Sequence, residues 1–176
     1  MLGKQIDIQY LLDFAAIRHV ISRYFQGIDQ GDLAQVRDCF TIDVRAVYHQ
    51  WVPVSGIDAL MERIQSILLG DAGPQVLVRT HFMGNLNIDR LDAHFAETET
   101  NVLSYKGRQQ DGKTALLLRG TRYLDRLRRE DDGWRICERV HTLDWSCTEP
   151  CDYAVNMAQR FMRLPAQPAS GSAAGA

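Results

Sequence analysis

A chain of 176 residues that is 45% hydrophobic and 24% charged has the make-up of one globular domain, able to bury a core without a metal or a disulfide scaffold. A formal net charge of -2 gives no basic footprint and argues against nucleic acid as a partner. No apolar run approaches the roughly 20 residues that cross a bilayer.

The first ten residues, MLGKQIDIQY, lack the basic-then-apolar pattern of a secretory signal, which points to a cytoplasmic protein. Cys39, Cys137, Cys147 and Cys151 are too few for a disulfide framework. Cys147 and Cys151 have no second ligand pair beside them, so no metal is expected. The arginines Arg119, Arg122, Arg126, Arg128 and Arg129 are interleaved with Asp125, Glu130, Asp131 and Asp132 and read as a solvated hairpin.

From Ile8 to Asp29 the spacing of Leu11, Phe14, Ile17, Ile21, Phe25 and Ile28 predicts an amphipathic helix, stopped at Gly31. Asp32 caps a short second helix, LAQVRDCF. TIDVRAVYH reads as a strand. Ser55 and Asp58 form a capping signature before a third helix that Gly70 ends, and residues 71–74 form a turn. QVLVRTHFMGNLNID, AHFAETETNVLSYKG, KTALLLRGTRYLDRLRR and GWRICERVHTLDW then read as strands, with hairpin turns at Asp111-Gly112 and Asp132-Gly133. A short helix is expected from Pro150 to Met162. Residues 1–164 form one domain, and residues 165–176 form a disordered Pro/Ser/Gly/Ala tail. Helices first and long antiparallel strands after them spell α+β, with a cavity between the layers.

Chemistry concentrates on two residues. Asp29 continues the apolar stripe of the first helix, four residues after Phe25, where a buried carboxylate needs a partner. A solvated turn aspartate is the alternative. His81 shares strand parity with Arg79, Met83, Asn85 and Asn87, while Phe82, Leu86 and Ile88 face the other way. Its imidazole suits proton transfer near neutral pH, and an aspartate on one ring nitrogen would fix its tautomer. Tyr24 can donate a hydrogen bond to a leaving oxygen or a carbonyl, the alternative being a core aromatic with its hydroxyl at the rim. Tyr48, Trp51, Phe82 and Met83 suit a cavity wall or a core equally well. Arg139 alternates with Cys137, His141 and Leu143; it binds an anion or carbonyl unless Glu138 or Asp144 pairs with it. There is no G-x-S-x-G elbow, Walker loop or dinucleotide fingerprint, which leaves cofactor-free chemistry as the residual class.

The stretches IRHVISRYFQGIDQGDLAQVRDCFTIDV, RTHFMGNLNI and GTRYLDRLRREDDGWRICERVHTLDW, in that order, resemble SnoaL-like proteins of the nuclear-transport-factor-2-like superfamily. The resemblance implies a cone-shaped curved sheet wrapped by three helices around a cavity. Scytalone dehydratase, hexachlorocyclohexane dehydrochlorinase and bile acid 7α-dehydratase are nearest in motif, and their cofactor-independent Asp–His dyad maps onto Asp29 and His81. Tyr24 matches the helix tyrosine of the bile acid enzyme, and Arg139 the dehydrochlorinase arginine. The chain departs from scytalone dehydratase at Thr98, Thr100 and Val102, where no second catalytic histidine stands. The implied activity is a dehydratase-like lyase acting on a hydrophobic, cyclic, hydroxylated or carbonyl-bearing molecule, in a homo-oligomer (dimer or trimer) built through the outer sheet face. The same fold also serves polyketide cyclases, isomerases and non-catalytic small subunits of ring-hydroxylating dioxygenases.

Overall fold

The computed structural model describes residues 7–49, 52–69, 75–110, 112–152 and 154. Helix α1 runs from Ile8 to Gln30. The Asp7 side chain accepts from the Tyr10 amide at its start, and Gly31 closes its end in the left-handed region at φ 73°. Its buried face carries Ile17, Val20, Ile21, Tyr24, Phe25 and Ile28, but Leu11 is exposed and Asp13 takes the inward place in the first turns. That buried aspartate accepts from Arg129 Nη2 at 2.6 Å and Trp134 Nε1 at 3.2 Å, so its inward position is satisfied.

Helix α2 (Leu33–Arg37) is capped by Asp32, as its sequence predicts, but is shorter than LAQVRDCF. Strand β1 (Phe40–Tyr48) and the two-residue β2 (Val54–Ser55) precede α3 (Ile57–Leu69). The expected Ser55/Asp58 capping box does not form: Ser55 belongs to β2, and Asp58 pairs with Arg37 at 2.6 Å instead. Four long strands follow: β3 (Gln75–Leu91), β4 (Phe95–Gln110), β5 (Lys113–Glu130) and β6 (Gly133–Pro150). Strand β6 outruns its expected end at Trp145, so Pro150 closes a strand instead of opening a helix. Cys151, Asp152 and Ala154 are not helical; the other residues of that expected helix, Gly70, Trp51, the 71–74 turn, Asp111 and the tail lie outside the described residues.

The sheet has the order β2-β1-β6-β5-β4-β3, with β1 parallel to β6 and every other pair antiparallel. It is α+β and open, its inner face packed against the helices through one core. Bulges bend it. In β3, Met83 faces Val102 and Leu86 faces Thr100, so Gly84 and Asn85 together oppose Asn101. The extra residue reverses the alternation. Leu86 and Ile88 therefore join His81 and Met83 on the inner side, against the sequence expectation, and Asn85 and Asn87 are exposed.

Candidate active site

Asp29 occupies the last turn of α1, where the stripe of Ile17, Ile21 and Phe25 aims it at β3. One carboxylate oxygen lies 2.6 Å from His81 Nδ1, and the other accepts the His81 backbone N–H at 2.8 Å. The double contact fixes strand and ring together. With Nδ1–H donating to the carboxylate, Nε2 keeps its lone pair and can act as a base. Phe25 stacks on the imidazole, centroids 5.5 Å apart and planes 17° apart. Side-chain exposure is 9% for His81 and 19% for Asp29.

His81 lines a cavity of about 200 Å³ between α1, α3 and the inner sheet face. Ile28, Ile64, Ile67, Leu68 and Leu143 supply its apolar wall. Asp29 stays behind the imidazole and does not reach this cavity. Tyr24 and Tyr48 do reach it, with their hydroxyls 3.0 Å apart. Burial, above all, then the neighbouring Tyr48 and Tyr123, push the Tyr24 hydroxyl well above its usual range, so it stays a protonated donor.

Three candidates on strands stand elsewhere. Phe82 is 62% exposed on the outer face, as its parity dictates, and is not cavity wall. Met83 faces inward but borders the outer cleft beside Asp29, with its sulfur 3.9 Å from the Ser22 hydroxyl. Arg139 lies behind the floor. Its guanidinium grips Asp125 through two 2.7 Å bonds, both side chains 0% exposed, and sits 4.0 Å from the Tyr24 ring centroid. Its partner is therefore Asp125, on the adjacent strand, and neither Glu138 nor Asp144. The expected substrate contact is corrected by this geometry: the side chain supports Tyr24 and Tyr123 from beneath.

The cavity also holds groups that the sequence reading passed over. His141, from β6, packs its ring 4.7 Å from Tyr123 and 5.3 Å from Tyr48, and its Nδ1 is buried without a partner. Burial first, then the charges of Arg139 and His81, depress it to about 3, so it is neutral at physiological pH. His141 thus enters from the last strand and His49 from the end of β1, whereas Thr98 and Thr100 on β4 are buried hydroxyls. Arg79, Lys106 and Arg119 line the same space. Arg119 belongs to the hairpin expected to be solvated, but its common parity with Thr121, Tyr123 and the buried Asp125 turns it inward. Among the described residues, no cluster of side chains could hold a metal ion, and no helix is long and apolar enough to cross a membrane.

A family model for the SnoaL-like domain matches residues 9–140. The chain belongs to the SnoaL-like family. An uncharacterized protein of Mycobacterium tuberculosis is 28% identical over 140 residues, covering 78% of this chain and 89% of the relative. Among solved structures, this SnoaL-like chain is similar to a hexachlorocyclohexane dehydrochlorinase, LinA-type3, from Novosphingobium barchaimii. That match has TM-score 0.69 and 15% identity, with 85% of this chain and 97% of the other covered. A candidate scytalone dehydratase from Novosphingobium aromaticivorans matches with TM-score 0.66 and 17% identity, covering 86% and 97%. At such identities the likeness is one of fold, and the SnoaL-like fold is the nuclear-transport-factor-2-like one expected from the sequence.

Proposed function

We propose that this SnoaL-like protein is a cofactor-independent eliminating lyase, dehydratase-like in its chemistry. The observation that carries the reading is the double hold of Asp29 on His81 at the wall of a half-apolar cavity. A histidine oriented in this way, with a second nitrogen free to face a ligand, is the arrangement a general base needs.

In the proposed reaction, Nε2 of His81 takes a proton from the carbon next to the one that bears the leaving hydroxyl. The C–H pair becomes the new double bond, the C–O bond breaks, and Tyr24 gives its proton to the departing oxygen, so that water leaves. The imidazolium returns its proton to the Tyr24–Tyr48 hydroxyl pair, restoring both groups. Asp29 stabilises the imidazolium between these steps, and neutral His141 offers a further hydrogen bond inside the cavity. Support for Tyr24 as the proton donor comes from its 3.0 Å contact with Tyr48 and from Arg139, whose guanidinium 4.0 Å from the Tyr24 ring centroid favours the anion formed in transit.

The test is turnover of a panel of cyclic 3-hydroxy ketones, acids and esters, followed by the absorbance of the conjugated product. His81→Ala and Asp29→Asn are expected to lower the rate about 10²–10⁴-fold, with circular dichroism unchanged. Tyr24→Phe lowers kcat more than it raises KM. Wild-type turnover in His81→Ala or Asp29→Asn removes the dyad from the reaction.

A further inference from the structure

The cavity walls are apolar on the helix side and cationic on the sheet side. Arg79 on β3 stands directly opposite Lys106 on β4, and Arg119 on β5 stands opposite Ser104, diagonal to Lys106. All three side chains line the cavity, and among the described residues no aspartate or glutamate lines it with them. The carboxylate that acts on Arg79 is Asp29, which already spends both oxygens on His81. Arg79 Nη2 donates to the Leu68 carbonyl at 2.8 Å, which ties its fork to the end of α3. The Nε atoms of Arg79 and Arg119 are buried without a partner.

Three like charges gathered in a partly desolvated space repel one another, and each unpaired donor adds a desolvation cost. The strain is visible at Lys106. Burial, then Arg119, Arg79 and Arg108, lower its ammonium to about 8. A negatively charged ligand group would relieve all three at once.

We propose that the substrate carries a carboxylate, which is bound between Arg79, Lys106 and Arg119 while the rest of the molecule lies against Ile64, Ile67 and Leu68. The assignment rests on the lyase reading of the same cavity for its substrate, but not for its binding energy. A carboxylate suits the space better than a phosphate ester, because a cavity of about 200 Å³ must hold the apolar body as well. Its flat pair of oxygens also matches an arginine fork. Arg79 and Lys106 lie one inward step from His81 and Ser104 along the strands, about 7 Å at the usual rise of a strand. The carboxylate is therefore remote from the carbon that His81 deprotonates. It is a binding handle and does not activate that carbon, so a ring or chain of several carbons separates the two.

The probe is 2-naphthoate, with its uncharged partner 2-naphthamide and its phosphate analogue 2-naphthyl phosphate, titrated by fluorescence against the full chain. Benzoate and benzamide form a second, smaller pair. Wild type is expected to bind the acids about tenfold or more tightly than the amides. The double variant Lys106→Met with Arg119→Gln loses that preference, with thermal unfolding verifying that it is folded. Should it fail to fold, Arg119→Lys, which keeps the charge and loses the fork, is expected to weaken the acids alone.

Equal binding of acid and amide by wild type overturns the proposal, as does binding of neither pair. An undiminished acid preference in the substituted chain, or tighter binding of the phosphate analogue, overturns it too. The titration is repeated in His81→Gln. Acid preference retained there, with turnover unaffected by the substitution, would sink the dyad and leave the carboxylate site standing.

Discussion

At the scale of single residues, the buried Arg139–Asp125 pair shows how one strand neighbour changes a side chain's meaning. In the sequence the two lie 14 positions apart, and each resembles a member of a different group: Arg139 a ligand-binding arginine, Asp125 a surface carboxylate. Antiparallel pairing of β5 and β6 sets them face to face, and the interior then demands that they satisfy each other. Asp125→Asn is expected to cost about 3–5 kcal/mol, because it leaves a guanidinium buried without its counter-charge. Replacing both, Arg139→Met with Asp125→Leu, recovers most of that loss, and urea unfolding of the three variants measures it. His141 carries the second prediction. Its folded value of about 3 lies below the ordinary 6.5, so between those pH values the unfolded chain takes up a proton that the folded chain refuses. Stability therefore falls as pH drops from about 6.5 toward 3. His141→Leu makes that decline shallower in a series of thermal unfolding curves.

At the scale of elements, α1 was legible because its periodicity needs only the chain itself, and its capping residues Asp7 and Gly31 are local signals. Asp29 falls on that stripe for the same reason, but the sequence leaves it open to a solvated turn, and only its contact to His81 decides between the two. Strand faces were less secure, since a single inserted residue inverts every later side chain. The bulge at Gly84 and Asn85 does this in β3, and nothing in the sequence marks its position beyond a glycine. Inserting one more residue after Asn85 inverts the alternation again and drives Leu86 and Ile88 outward. The expected loss is about 3 kcal/mol or more for two apolar side chains, read from the urea midpoint, and the His81 contact to Asp29, which precedes the bulge, is retained. Should that insertion leave stability intact, strand alternation is not what holds these residues in the core.

At the scale of the whole molecule, a formal net charge of -2 concealed a cavity whose charged lining is cationic. Global charge speaks to solubility and long-range partners, while local field depends on which side chains the sheet gathers. The cluster gives a pH dependence with a definite sign. Lys106 is charged below about 8 and faces Arg79, Arg108 and Arg119. Affinity for 2-naphthoate is expected to hold steady below pH 8 and to weaken above it as the ammonium deprotonates, whereas Lys106→Met binds more weakly and without that break. Because ligand binds only the folded chain, 2-naphthoate at about 100 times its Kd adds about 2.7 kcal/mol of stability.

The sequence by itself determined the first three helices, the run of strands, the α+β class and the candidate pair Asp29 and His81. Periodicity, caps and motif order are properties of neighbouring residues and need no third dimension. Only the tertiary structure decided which side chains share the cavity: Arg79, Lys106, Arg119 and His141 come from four different strands. It also decided that Arg139 stands behind the wall and Phe82 outside it. Such choices follow from strand order, register and bulges, which arise from pairing between segments far apart in the chain.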